Sequence, residues 1–199
     1  HRGPRRRERA CKTGIWVALA PMVMLFAGFA SAYIVRRGLS NDWEPLELPL
    51  VLWLNTLFLM ASSLTLERAR SFLRLPLPGA ASSAPTGAAS SAPTFGRWWS
   101  ITTGLGVAFL AGQLLAWWQL AARGVYLAGN PSSSFFYVLT AAHGLHLLGG
   151  LVALGYVASR AARLAVGPTN RIAVDVTAVY WHFLGVLWIS LFLLLLLWR

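Results

Sequence analysis

The sequence is short of charge, shorter still of acid, and nearly free of cysteine. Charged residues fill 12% of its 199 positions, where a soluble chain carries roughly a quarter. The single cysteine, Cys11, excludes an intrachain disulfide and a binuclear copper site built on two thiolates. Only six residues are Asp or Glu, and none falls in the middle of an apolar run. Acid–base catalysis by paired carboxylates is therefore excluded, and no nucleophile–base pair or phosphate-binding loop replaces it.

What is abundant is apolar: 57% hydrophobic residues, ten tryptophans and a mean hydropathy of +0.59. Windows without charge, such as residues 98–122, have the length needed to cross a hydrocarbon core of about 30 Å. The chain reads as an all-α, polytopic membrane bundle. A net charge of +11 raises nucleic acid as a partner. The basic residues cluster at the ends of apolar runs instead, where topology-setting charges belong, so no nucleic acid is expected.

Five spans are drawn at about 14–35, 48–66, 98–122, 135–159 and 173–198, after a basic N-terminal arm at 1–13. The first run lacks a small-residue cleavage site and reads as a retained span. Residues 76–96, rich in Ala, Ser and Pro, read as a flexible linker. They hold AASSAPT twice, at 80–86 and 88–94. Of the Lys and Arg residues, thirteen lie in the N-terminal arm and the 67–97 and 160–172 connections. Only Arg36, Arg37, Arg123 and Arg199 lie on the other side. The positive-inside rule then predicts a cytoplasmic N-terminus and an external C-terminus, with Trp98, Trp99 and Trp198 as interfacial anchors.

At about 1.5 Å of rise per residue, His143 lies roughly 12 Å deep, His146 roughly 16 Å and His182 about 14 Å. Buried ionisable groups in a membrane raise a functional question. Metal or haem ligation, a proton relay and polar packing between helices are all open. Ligation wants convergent ligands with carboxylate or carbonyl partners, and no acid is expected near these depths. Polar packing is favoured, with Gly144, Gly149, Gly150 and Gly185 as points of close helix approach. Asn55, Thr56 and Gln113 are read the same way, as are Ser62, Ser63 and Thr65. Glu67 beside Arg68, and Asp175 near Arg171, are placed at span ends.

Several segments carry a family pattern. "FFYVLTAAHGLHLLGG" (135–150) and "VYWHFLGVLWISLF" (179–192) resemble the last two helices of subunit III of the haem–copper cytochrome oxidases. The second carries Tyr180, Trp181, His182, Phe183 and Trp188, with Asp175 ahead of it where the family has an acid. "LNTLFLMASSLTLERA" (54–69) is similar to the family's Asn-Thr helix, Gln113 falls at a family glutamine, and "FAGFASAYIV" (26–35) fits loosely. Longer members have seven helices, two splayed from five around lipid. Here there are five, as in short bacterial forms, and the resemblance implies that the other two belong to subunit I.

Two positions depart from the pattern: the first span lacks the family's glutamate, and Leu184-Gly185 replaces Val-Asp. The resemblance implies a non-redox accessory subunit of an aerobic terminal oxidase in a bacterial inner membrane. Such a subunit packs on subunit I, contacts other oxidase subunits, holds phospholipid and supports proton uptake and turnover stability. It binds no cofactor of its own, haem and copper residing in partner subunits. Alternatives are a subunit III-like accessory protein of a nitric-oxide reductase and a small proton-coupled transporter.

Overall fold

The computed structural model describes residues 4–39, 47–74, 86–163 and 168–198. Five helices run α1 (Pro4–Leu39), α2 (Val51–Arg74), α3 (Thr86–Ala122), α4 (Pro131–Arg163) and α5 (Pro168–Leu197), with no strand among the described residues. Three begin on proline, whose missing N–H costs nothing in a first turn. At α4 the Asn130 Oδ1 caps the helix, accepting the Ser132 N–H at 3.0 Å. At the end of α3 the Val125 and Gly124 N–H groups return to the Leu120 and Ala121 carbonyls, each at 3.0 Å. Gly124, at φ 79°, takes the left-handed position that closes such a motif.

Four helices, α1, α3, α4 and α5, contain stretches long and apolar enough to cross a membrane. α2 does not reach that mark. Its 24 residues span about 36 Å, but Asn55, Ser62, Ser63 and the charged turn from Glu67 to Arg70 dilute its apolar character. Asn55 and Ser62 are covered by neighbouring helices instead, whereas Glu67 and Arg68 stay exposed. The α3 helix begins at Thr86, which corrects the flexible-linker reading for residues 86–96. Alanine is the strongest helix former, and extending an existing helix adds one hydrogen bond per residue fixed. Residues 75–85 lie outside the described residues.

Helices α2 to α5 form an up-and-down bundle in which α2 packs on α3, α3 on α4, α4 on α5 and α5 back on α2. Among the described residues α1 packs on α4 and α5 alone. Each helix buries a stripe that repeats every seven residues. On α2 it is Leu52, Asn55, Leu59, Ser62, Leu66 and Ala69. On α3 it is Phe95, Trp99, Thr102, Gly106, Phe109, Gln113, Ala116 and Leu120. On α5, Val174, Trp181, Trp188 and Leu195 are each seven apart. A 3.5-residue period keeps the seam facing inward when helices cross left-handedly at about 20°. The outward faces are equally apolar, with Met24, Leu57, Trp118, Leu145 and Val152 exposed. The core therefore differs from the surface in its small, polar and aromatic residues, as expected where hydrocarbon surrounds the bundle.

Candidate functional site

The buried polar side chains sort into layers along the bundle axis, and several are tied by indole or hydroxyl donors reaching a neighbouring helix. Trp117 Nε1 donates to Thr140 Oγ1 at 3.1 Å, joining α3 to α4. Trp188 Nε1 donates to Thr56 Oγ1 at 3.0 Å, joining α5 to α2. Trp181 Nε1 donates to Ser62 Oγ at 3.0 Å, and Ser62 Oγ donates onward to the Thr102 carbonyl at 3.1 Å, so one chain links α5, α2 and α3. Thr65 and Thr102 share a hydroxyl–hydroxyl bond at 2.9 Å. Trp99 Nε1 donates to the Leu154 carbonyl at 2.9 Å. This places Trp99 in the core at 2% exposure, correcting its reading as an interfacial anchor. Trp98 does stand at the edge, under Arg68 at 5.9 Å, and Trp198 under Arg37 at 5.7 Å.

The three histidines do not converge. His143 is fully buried, its ring 5.8 Å from that of Phe109 and 5.1 Å from that of Trp188, in the bundle interior. His146 turns toward α1, edge-on to Phe26 at 5.7 Å, and its Nδ1 lies 2.7 Å from the Ala142 carbonyl of its own helix. The bond between helices at that position comes from Tyr180, whose hydroxyl donates to the His146 carbonyl at 3.0 Å. His182 faces α2, its Nε2 3.5 Å from Glu67 Oε2.

That contact brings a span-end acid to a histidine that the helical rise places near mid-membrane. Arg70 bridges two carboxylates, Glu67 within α2 and Asp175 on α5, at 2.7 Å each. Arg70 itself is nearly covered, whereas Glu67, Asp175 and His182 are about half exposed. The result is one ionic cluster on the α2–α5 seam, toward the end where the basic connections lie. The sequence offered Glu67 and Asp175 as separate span-end acids. Arg70 was missed because its two partners lie 3 and 105 residues away.

The glycines also differ from one another. A Cβ at Gly150 would stand 3.1 Å from the Trp181 ring, so close approach is needed there. At Gly144, Gly149 and Gly185 a Cβ would make ordinary contacts of 3.5–3.8 Å with Leu110, Tyr180 and Ser63. The tightest positions are two the sequence reading passed over. At Gly106 a Cβ would meet Trp181 and Leu151 at 2.7–2.9 Å, and at Gly112 it would collide with the Asn55 amide. The seven-residue stripe, on which Gly106 lies, was the available signal. Of the family-motif residues, Trp181 and Trp188 are core bridges, Tyr180, His182 and Asp175 bond to neighbouring helices, and Phe183 is partly buried against the core.

Comparison with known proteins points to one family. The family profile described as "Cytochrome c oxidase subunit III" matches residues 10–199. A "Probable cytochrome c oxidase subunit 3" of Nocardia farcinica is 33% identical over 192 residues, covering 94% of this chain and 87% of that one. One from Mycobacterium leprae is 32% identical with the same coverage. The "Cytochrome c oxidase subunit 3" of a Synechocystis strain is 31% identical, covering 91% of this chain and 72% of that protein. The chain belongs to the cytochrome c oxidase subunit III family.

Proposed function

We propose that this chain is the accessory, non-redox subunit of a bacterial haem–copper oxidase, packed on subunit I in the inner membrane. Its N-terminus is cytoplasmic, its C-terminus is external, and α2 crosses with the other four helices. Haem and copper sit in the partner subunits, and phospholipid is held against this one. The observation that carries the reading is how the polar groups are used. Trp, Ser and Thr side chains are engaged in cross-helix bonds, whereas the outward faces present bare apolar side chains to lipid and partners.

The Glu67–Arg70–Asp175–His182 cluster, whose carboxylates and imidazole are half exposed around a covered Arg70, supports the proton-uptake part of the role. Its carboxylates and imidazole stand at the end assigned to the cytoplasm, where protons enter. Oxidase purified with this subunit should lose proton-uptake rate and inactivate sooner during turnover when Glu67→Gln or His182→Phe is introduced. Its haem spectrum should not move. Failure to co-purify with an oxidase, or haem or copper bound stoichiometrically by the isolated chain, would overturn the assignment.

A further inference from the structure

Seven buried side-chain polar atoms among the described residues have no protein hydrogen-bond partner, and six belong to Asn55, Gln113 and His143. Other buried polar side chains, such as Ser62, Thr102, Ser133 and Thr140, are bonded to protein atoms. The unsatisfied atoms are thus concentrated, and the packing puts their owners in one layer. Trp117 on α3 is bonded to Thr140 on α4. Counting back four residues on α3 and forward three on the antiparallel α4 brings Gln113 and His143 to heights within about 1.5 Å. Phe109, Gln113 and Trp117 lie four apart on one face of α3, and both flanking rings touch α4, at His143 and Tyr137. Gln113 therefore faces α4 between them. Asn55 abuts the backbone of α3 at Gly112, the residue beside Gln113. Its neighbour Thr56 holds Trp188, whose ring packs on His143.

We infer that Asn55, Gln113 and His143 enclose an internal binding site for a small neutral hydrogen-bonding ligand, namely ordered water. The donor and acceptor inventory fits. Each amide offers two donors and one carbonyl oxygen, and a neutral imidazole offers one of each. A buried water makes about three hydrogen bonds to otherwise unsatisfied groups, the number of side chains present. An ion fits poorly, because no charged group in the layer compensates it at low dielectric. The layer cannot be left dry at membrane depth, where nothing else satisfies a polar group. His143 is pinned between Phe109 and Trp188, and Asn55 is wedged at Gly112, so neither is free to swing onto the other.

The test is a structure of the assembled oxidase at a resolution that shows ordered water. The expected result is at least one density peak within hydrogen-bond distance of two or more of the three side chains. Direct side-chain-to-side-chain bonds with no peak in the layer would overturn the inference. A matched structure with Gln113→Leu should lose the peak, and a peak kept at full occupancy would equally count against the site. The wild-type map decides the question even if that variant fails to assemble.

Discussion

Replacing Gly106 with alanine tests the bundle at its tightest aromatic contact. The new Cβ would stand 2.7 and 2.9 Å from Trp181 ring carbons and 2.8 Å from Leu151 Cδ2. Carbon pairs prefer about 3.5–4.0 Å, so the overlap is on the order of 1 Å. Trp181 has no room to retreat: it is fully buried, Gly150 backs its other edge, and its N–H is tied to Ser62 at 3.0 Å. Overpacking of this kind costs about 1–3 kcal/mol. Breaking the indole bond would add about 0.6 kcal/mol. Against this, alanine gains up to about 1 kcal/mol in helix propensity. The net loss is therefore about 0.6–2.6 kcal/mol, roughly three- to eightyfold in the folding equilibrium.

Gly104, two residues away, supplies the control, because a Cβ there meets nothing within 4 Å. Gly104→Ala keeps the propensity gain without the clash and should be neutral or slightly stabilising. Both variants can be unfolded in mixed detergent micelles while tryptophan fluorescence is followed. Equal midpoints for Gly106→Ala and Gly104→Ala would refute the packing argument. In a double-mutant cycle, Trp181→Leu should absorb most of the Gly106→Ala penalty.

Gly124→Ala should destabilise the α3–α4 turn by about 1–2 kcal/mol, because φ 79° places a side chain against the carbonyl. The midpoint of the same unfolding assay reports it. Ser62→Ala removes an oxygen that both donates and accepts, leaving the buried Trp181 N–H unpaired. A loss of about 1–3 kcal/mol is expected, with the haem spectrum of the assembled complex unchanged. Tyr180→Phe should lower stability by about 0.6 kcal/mol, since its hydroxyl bonds across helices. His146→Leu should cost less, because its Nδ1 contact lies within α4. The reverse order would show that the imidazole, not the phenol, joins those helices.

Hydropathy located α1, α3, α4 and α5, because a stretch that must shed water along its whole length announces itself in composition alone. It could not show which face of each helix turns inward. Leu57 and Leu59 are chemically alike, yet one is exposed and the other buried. The informative residues were those unlike their surroundings. Asn55, Ser62, Thr102, Gln113 and His143 all lie on inner stripes, and reading polar and aromatic positions by sevens would have oriented every helix. Depth estimated from the helical rise set His182 apart from any acid. The Glu67 side chain nevertheless reaches it from the adjacent helix, and no spacing within either segment encodes that approach. The linker reading failed over 86–96 for a related reason: alanine signals helix as readily as it signals a spacer, and the neighbouring span decides.

The placement of α1 bears on how the protein is made. It precedes the other described helices, yet among the described residues it packs only on α4 and α5. At its far end Tyr33 donates to the Trp198 carbonyl at 3.2 Å and meets the Phe135 ring. Among the described residues α1 therefore finds no partner in α2 or α3, and its docking surface is complete only once both α4 and α5 are in place. Both partners are distant in the chain, so its capture is a non-local step. Truncation after α4 removes the α5 part of that surface, including the Trp198 carbonyl that Tyr33 bonds, and leaves α1 held by α4 alone.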